Sequence, residues 1–217
     1  MIDAVVFDMD GVLVDSEPVW EQVRRAVVAE HGGRWQPDTQ SRLMGMNTGE
    51  WAGYLSGELG VDLAPSGVAA LVIETMAARY AEHVPLLPGA VDAVRMAAGR
   101  WPLGVASSSP RVLIDAVLDA AGLRSLFAAT QSADSMVRGK PAPDIYLAVA
   151  AALGVPADRC AAVEDSSNGL RSAANAGMHV IAVPRPHYPP DDDALATAEL
   201  VLTDLTSLTP DALAGLG

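Results

Sequence analysis

A short hydrophobic run near the start of the chain ends in two carboxylates, and this feature constrains the fold more than any other. Ala4 to Phe7 has the length and the β-branched content of a strand buried in a parallel sheet. Asp8 and Asp10 follow this run, and Gly11 comes next. In an open α/β sheet, ligands bind just beyond the carboxyl ends of the strands. The segment therefore predicts a parallel sheet with a ligand site at the end of its first strand.

The two carboxylates indicate what kind of ligand this site would take. Asp8 and Asp10 would share one pocket, because alternate residues of an extended strand lie on the same face. Two carboxylates so close together raise each other's pKa unless a cation neutralises them. The pair therefore indicates a metal site or a shared proton, although an isolated Asp-x-Asp sequence also fits a helix cap or an acidic turn.

The arrangement of hydrophobic runs along the chain predicts an α/β fold. Further strands are expected at 103–107, 126–131, 160–164, 180–183 and 200–202. Residues 17–84 instead show helical periodicity without a strand, with helices expected over 17–30, 48–59 and 66–83. Alternating strands and helices indicate a parallel, doubly wound sheet with right-handed crossovers. The helical block would be an insertion after the first strand.

The composition of the chain limits which partners the protein can bind and which cellular compartment it suits. The 217 residues carry a formal net charge of −13, which argues against nucleic acid or an anionic membrane as a partner. No run approaches the roughly 20 apolar residues of a membrane span. Lone Cys160 fits a reducing compartment. The N-terminus carries Asp3 and leads directly into a predicted strand, which does not fit a signal peptide. We therefore expect a cytoplasmic protein without nucleic-acid or membrane partners, and a monomer or weak dimer.

Four short segments occur in a fixed order along the chain. They are DMDGVL at 8–13, VASSS at 105–109, GKPAPD at 139–144 and VEDS at 163–166. Together they resemble the four motifs of the haloacid dehalogenase superfamily, and the resemblance covers essentially the whole chain. It is closest to the branch that contains β-phosphoglucomutase and small sugar-phosphate phosphatases. Within that branch the chain looks most like the hexitol and 2-deoxyglucose-6-phosphate phosphatases.

This resemblance implies how the predicted elements divide into domains. Residues 1–15 and 85–217 would form a Rossmann-like parallel-sheet core. Residues 16–84 would form a small helical cap domain, inserted after the first strand and hinged at 16–18 and 84–88. Trp20 and Trp51 lie in this predicted cap and are candidates for lining the substrate pocket.

The resemblance also implies roles for the motif residues. Asp8 would be the nucleophile toward phosphorus. Asp10 would be the general acid and base, which protonates the leaving group and then activates water. Gly11 would let the chain turn while its amide faces the phosphate. The other residues expected to bind the phosphoryl group are Ser107, Ser108 and Lys140, although the serines, Ser109 above all, could instead only cap the next helix.

The implied cofactor is Mg²⁺, which prefers carboxylate and phosphate oxygens. Its ligands would be a side-chain oxygen of Asp8, the backbone carbonyl of Asp10 and a carboxylate oxygen of Asp165. Glu164 is either an alternative metal ligand or a partner of the ligands. The Glu164–Ser166 segment could also cap the helix that follows it, since Asp and Ser both cap well.

The function favoured by this pattern is a Mg²⁺-dependent phosphatase. Its substrate would be a small-molecule phosphate ester, a sugar or sugar-alcohol phosphate, and the reaction would pass through an aspartyl-phosphate. A β-phosphoglucomutase-like mutase would use the same intermediate. However, the mutases carry a cap histidine where this chain has Trp20, and a cap arginine where Gly45-Met46-Asn47 leads to Thr48.

Two other functions fit the pattern less well. A dehalogenase does not need the second aspartate of the Asp8–Asp10 pair. A phospho-accepting signalling receiver also combines acidic residues, a hydroxyl and a lysine. Receivers, however, are shorter and place the lysine last, whereas Lys140 precedes Asp165.

Overall fold

The computed structural model describes residues 1–44 and 46–217. Within these residues six strands form one sheet in the order β3-β2-β1-β4-β5-β6, and every strand pair is parallel. The strands are β1 (Ala4–Phe7), β2 (Leu103–Ser107), β3 (Phe127–Ser132), β4 (Cys160–Glu164), β5 (His179–Ala182) and β6 (Leu200–Val201). The predicted α/β class with a parallel-sheet core is therefore confirmed.

The place of β1 in the sheet follows from its composition. All four of its residues are fully buried, which suits a strand covered on both faces by helices. It lies between β2 and β4, and the chain order reverses there, with β2 and β3 on one side and β4 to β6 on the other. Such a switch point opens a crevice at the carboxyl ends of the strands. Asp8, directly after β1, therefore lies at the mouth of this crevice.

The first four helices, all within residues 17–82, form a block without a strand among the described residues. They are α1 (Glu17–Glu30), α2 (Thr39–Leu43), α3 (Thr48–Gly57) and α4 (Pro65–Glu82). The helices of the sheet region are α5 (Ala90–Ala98), α6 (Arg111–Ala120), α7 (Asp144–Leu153), α8 (Ser167–Asn175), α9 (Asp192–Leu195) and α10 (Pro210–Ala214). Helices α1 and α3 both pack on α4.

The predicted helix and strand limits differ from the observed ones by one or two residues at several ends. Helix α4 begins with Pro65, because proline suits the first position of a helix. Helix α2 was not predicted, since five residues are too few to show a helical period. The last residue predicted for β5, Val183, lies after the strand, yet its N–H still donates to the Glu164 carbonyl at 2.7 Å.

Polar contacts join the helical block to the sheet region. The Thr48 amide and hydroxyl donate to the two carboxylate oxygens of Asp134 at 3.0 and 2.9 Å. The Asn168 amide group donates to the Met44 carbonyl at 3.2 Å. Thr48, which stands where the mutases carry an arginine, therefore binds a residue just after β3. Gly45, which begins that segment, lies outside the described residues.

A search of the described helices finds none that is both long and apolar enough to cross a membrane. The expectations of a cytoplasmic location, of a monomer or weak dimer and of no nucleic-acid partner stay predictions.

Candidate active site

Three neighbouring strands bring polar side chains to one edge of the sheet. Asp8 follows β1, Ser107 ends β2, and Glu164 ends β4 with Asp165 after it. All four residues are buried. Because the strands are parallel and adjacent, their carboxyl ends meet at one place. Residues up to 157 positions apart in the chain, from Asp8 to Asp165, thus form a single cluster.

Lys140 is the cation at the centre of this cluster. Its Nζ donates to Asp8 Oδ1 at 2.8 Å, to Glu164 Oε1 at 2.5 Å and to the Ala106 carbonyl at 3.1 Å. The side chain is only 2% exposed. Burial by itself lowers the pKa of the Lys140 ammonium, but Asp8 and Glu164 outweigh this effect and raise that pKa above its usual value. The ammonium therefore stays charged beside the predicted nucleophile.

The buried carboxylates outnumber this cation. Burial raises the pKa of Asp8 well above its usual value, and Lys140 offsets only part of that rise. Burial also raises the pKa of Asp165, and the charges of Glu164 and Asp8 add to the rise. The Oδ2 atom of Asp165 is buried and has no hydrogen-bond partner among the described residues. A buried, unpartnered anionic oxygen is costly unless a cation binds it.

The residues of the cluster fit a divalent cation. Asp8, Glu164 and Asp165 each offer a carboxylate oxygen, and these oxygens lie within 4.8 Å of one another. Oxygen ligands of this kind suit Mg²⁺ and related hard cations. The prediction of a metal site is thus supported in its coarser form, an acidic cluster that could bind a divalent cation.

Gly11 is required at its position for two reasons. Its φ of 83° lies in the left-handed region that favours glycine. A Cβ added there would lie 2.0 Å from Asp165 Oδ2, so any side chain would displace that carboxylate. The backbone turn after β1 and the position of Asp165 therefore depend on each other.

Glu164 is engaged through both of its carboxylate oxygens. Oε1 accepts from Lys140 and from the Tyr146 hydroxyl at 2.7 Å. Oε2 accepts from the Asp165 amide at 3.1 Å and more weakly from the amide and hydroxyl of Ser166. Tyr146 lies on α7 and is fully buried. Sequence reasoning missed it, because nothing in its residue type separates it from an ordinary core tyrosine.

Asp10 receives hydrogen bonds from both sides of the pocket. Its Oδ2 accepts from the hydroxyls of Ser107 and Ser109 at 3.1 and 2.8 Å. Its Oδ1 accepts from the Trp20 indole N–H at 3.1 Å, so a side chain of the helical block touches the predicted acid and base. Ser109 does not cap α6, whose preceding residue Pro110 offers no side-chain cap. Ser108 lines the same pocket.

The serine that does cap a helix belongs to the fourth motif. The Ser166 hydroxyl accepts from the Gly169 amide at 3.1 Å and so caps α8. Asp165 beside it makes no such contact and turns toward the cluster. One of the two residues that could have capped the helix therefore does so, and the other stays with the acidic cluster.

The helical block lines the other side of the pocket with residues of α1. Glu17, Trp20 and Arg24 face the cavity, together with Trp51 of α3. The Arg24 guanidinium lies 4.4 Å from the centroid of the Trp20 ring and 5.1 Å from that of Trp51. Sequence reasoning proposed the two tryptophans as pocket residues but missed Glu17 and Arg24. The helical spacing could have identified them, because both charged residues lie on the same helical face as Trp20, three and four positions from it.

The family model for haloacid dehalogenase-like hydrolases matches residues 2–177. The chain belongs to this family. The prediction of the family and of the α/β fold with its parallel sheet is therefore confirmed.

Individual proteins similar to this hydrolase are named as phosphatases. Hexitol phosphatase B of Escherichia coli K12 is 36% identical over 220 residues, which cover 98% of this chain and 96% of the relative. The fructose-1-phosphate phosphatase YqaB of the same organism is 32% identical over 179 residues, or 82% of this chain and 95% of the relative. The names of both relatives support the predicted enzyme class, a phosphoric monoester hydrolase.

Solved structures agree with this family assignment. CbbY from Rhodobacter sphaeroides, crystallised with phosphate, matches the hydrolase with a TM-score of 0.86 and 27% identity, over 99% of this chain and 100% of the other. A β-phosphoglucomutase from Clostridium difficile matches with a TM-score of 0.85 at 22% identity, over 99% of this chain and 96% of the other. The second similarity shows a shared fold alone.

The buried Glu17 leads to a prediction about the pH dependence of stability. Burial raises the pKa of Glu17 from 4.5 to about 7, with Arg24 opposing the rise and Asp10 and Asp15 adding to it. A carboxyl whose pKa is raised by folding favours the folded state below its unfolded pKa, and this contribution is lost as the pH rises through about 7. Glu17→Gln removes that dependence.

We therefore expect Glu17→Gln to raise the free energy of unfolding by about 3 kcal/mol at pH 8 but only about 1 kcal/mol at pH 5. Urea unfolding of the metal-free protein at both pH values measures the difference. Glu30→Gln, at an exposed position of the same helix, is the matched control. An equal effect of Glu17→Gln at both pH values would contradict the prediction.

Proposed function

We propose that the chain is a Mg²⁺-dependent phosphatase that hydrolyses a sugar or sugar-alcohol phosphate through an aspartyl-phosphate intermediate. The observation that carries this proposal is the pairing of Asp8 with Lys140 beside the unpartnered oxygen of Asp165. A nucleophilic carboxylate needs positive charge on either side, to hold the dianionic phosphate against it. Lys140 would supply one such charge and a metal ion the other.

The first chemical step uses the two aspartates of the first motif. Asp8 forms a bond from a carboxylate oxygen to phosphorus while the bond from phosphorus to the ester oxygen breaks. Asp10 gives a proton to the leaving alkoxide. Lys140 and the serine segment at the end of β2 bind the phosphoryl oxygens as charge moves onto them. Ser107, Ser108 and the Gly11 amide are the proposed donors besides Lys140.

The second step returns the enzyme to its starting state. Asp10, now deprotonated, takes a proton from a water molecule that attacks phosphorus, and the bond to Asp8 breaks with release of inorganic phosphate. The contacts of Asp10 with Ser107, Ser109 and Trp20 hold its carboxylate in place for both proton transfers. General acid and base steps of this kind contribute about 10² to 10⁴ in rate.

The proposed metal ligands are Asp8, the backbone carbonyl of Asp10 and Asp165. A bound Mg²⁺ would neutralise phosphoryl charge and orient the phosphate toward Asp8. For Glu164, which the sequence left open as a ligand or a partner, we propose the role of positioning Lys140. Support comes from its two oxygens, which already accept hydrogen bonds from Lys140, Tyr146 and the backbone after β4.

Removal of the metal should stop the reaction. We expect EDTA to abolish turnover of p-nitrophenyl phosphate, Mg²⁺ to restore it, and Ca²⁺ to fail because its looser coordination misplaces the phosphate. Mg²⁺ at about 100 times its dissociation constant should also stabilise the folded protein by about 2.7 kcal/mol. Asp165→Asn should remove this stabilisation, whereas exposed Asp158→Asn should keep it. Full activity in EDTA would contradict the proposal.

We propose further that residues 16–84 act as a cap over the core formed by 1–15 and 85–217. The two chain crossings run side by side: the Asp15 amide donates to the Pro85 carbonyl at 2.8 Å, and the Leu87 amide donates to the Leu13 carbonyl at 2.9 Å. A paired crossing of this kind suits a hinge. The polar contacts of Trp20 with Asp10 and of Thr48 with Asp134 would then close the cap over the substrate.

The choice between hydrolysis and isomerisation gives a separate prediction. A mutase must hold a bisphosphate by its far phosphate while the sugar reorients. Thr48 is bound to Asp134, and a neutral hydroxyl binds phosphate about half as strongly as a guanidinium. We therefore expect phosphate release from hexose or hexitol 6-phosphates, and no significant conversion of β-glucose 1-phosphate to glucose 6-phosphate, even with the 1,6-bisphosphate as primer. Primed isomerisation faster than phosphate release would replace the phosphatase with a mutase.

A further inference from the structure

Arg24 is a buried cation with an unsatisfied donor. It is 5% exposed, and its Nε–H has no hydrogen-bond partner among the described residues. Its contacts are with the faces of two indole rings, those of Trp20 and Trp51. An unsatisfied buried donor destabilises the folded protein, and the more so when it belongs to a charged group. Arg24 lines the pocket of Asp8 and Asp10, so a ligand there can satisfy it.

Glu17 lines the same pocket and supplies an acceptor beside this donor. Its Oε2 accepts a hydrogen bond from the Gln40 side chain at 2.5 Å, which fixes the carboxylate. The Oε1 atom of Gln40 is itself buried without a partner among the described residues. Gln40 lies on α2, whereas Glu17 and Arg24 lie on α1. The acceptor Glu17 is therefore held from a second helix of the cap.

The position of this pair relative to Asp10 indicates which part of the substrate it meets. Glu17, Trp20 and Arg24 follow one another on a single face of α1, at spacings of three and four residues. The middle residue, Trp20, touches Asp10 through its indole N–H. Because Asp10 protonates the leaving oxygen in the proposed reaction, the group attached to that oxygen lies beside Glu17 and Arg24.

We propose that Glu17 and Arg24 form a leaving-group subsite that recognises neighbouring hydroxyls of a polyol phosphate. This inference rests on the proposed phosphatase function. A hydroxyl both donates and accepts, so adjacent hydroxyls satisfy a carboxylate and a guanidinium together. A carboxylate or a second phosphate would satisfy Arg24 but would lie against the charge of Glu17. The subsite therefore selects uncharged, hydroxylated leaving groups over anionic ones.

The test compares substrates that differ in the leaving group. The wild-type protein, Glu17→Met and Arg24→Met are assayed with Mg²⁺ on glucitol 6-phosphate and on p-nitrophenyl phosphate, which has no hydroxyl to recognise. We expect each variant to lose on the order of 10²-fold in kcat/KM on glucitol 6-phosphate. On p-nitrophenyl phosphate the loss should stay within about 3-fold, and this activity also shows that the variants are folded. Arg25→Met, an exposed neighbour on α1, should change neither value.

Charge selection is tested with phosphoglycolate and fructose 1,6-bisphosphate, which carry a carboxylate and a second phosphate. At pH 8, above the Glu17 pKa of about 7, we expect the wild-type protein to prefer glucitol 6-phosphate to both. Glu17→Gln, which keeps the shape but removes the charge, should raise activity on phosphoglycolate relative to glucitol 6-phosphate by about 10-fold.

The outcomes separate this inference from the function on which it rests. Equal losses on glucitol 6-phosphate and p-nitrophenyl phosphate would overturn the subsite and leave the phosphatase standing. A loss in Arg24→Met confined to the bisphosphate would show a phosphate-binding site instead. Wild-type protein that hydrolyses none of the esters would overturn the proposed function itself, and the subsite with it.

Discussion

Asp8→Asn should abolish phosphatase turnover and leave the protein folded. The amide cannot form the bond to phosphorus and is a poor metal ligand, so we expect kcat to fall by about 10⁵-fold, as for other covalent nucleophiles. Burial already disfavours the charged form of Asp8, and Lys140 keeps Glu164 as a partner. The loss in stability should therefore stay within about 1.5 kcal/mol. Hydrolysis of p-nitrophenyl phosphate with Mg²⁺ and urea unfolding measure the two quantities.

The matched control for this change is Asp3→Asn. Asp3 precedes the same strand, but its exposed carboxylate pairs with Arg159 outside the cluster. This variant should keep wild-type activity. Acid quenching during turnover of a labelled substrate should trap a labelled protein in the wild type and none in Asp8→Asn. A folded Asp8→Asn protein with substantial activity would rule out the covalent mechanism.

Lys140→Met should lower both activity and stability. The ammonium is the one cation that contacts both Asp8 and Glu164 among the described residues, and all three groups are buried. Removing one partner of a buried ion pair typically costs about 3 to 5 kcal/mol, because the remaining charges lose their compensation. The transferring phosphoryl group would also lose a preorganised positive charge, for which we expect about 10³-fold in kcat.

The control for Lys140→Met is Arg138→Met, which removes the same charge from the same loop. Arg138 is exposed and pairs with Asp144 at 2.9 Å, so its loss should change stability by less than about 1 kcal/mol. Unfolding by urea in EDTA measures the Lys140 effect without metal. If Lys140→Met is as stable as the wild type under these conditions, the ammonium does not compensate the buried carboxylates as we infer.

Local patterns in the sequence predicted most of what the sheet requires. The apolar run of β1, the Asp8–Asp10 pair behind it and the alternation of strands and helices are features of neighbouring residues. Each can be recognised because the period of a strand or helix appears within a few residues. The parallel sheet and the meeting of Asp8 with Lys140 and Glu164 follow from these features and from the resemblance to a family.

Other contacts were decided by how distant segments pack. Sequence reasoning predicted Trp20 as a lining residue, but not its hydrogen bond to Asp10. It did not predict that Tyr146 holds Glu164, or that Thr48 binds Asp134 across 86 positions of the chain. Each of these residue types is common in cores or on surfaces, so type and spacing do not identify the partner.

The sequence by itself determined the class of fold and the four segments proposed to carry the chemistry, because strand period, helix period and motif order are properties of the chain alone. Only the tertiary structure decided which polar atoms are satisfied and which are left for a ligand. The unpartnered oxygen of Asp165 and the unpartnered Nε of Arg24 become visible only after every other donor and acceptor near them has been assigned. That assignment depends on distances between elements, which no local pattern contains.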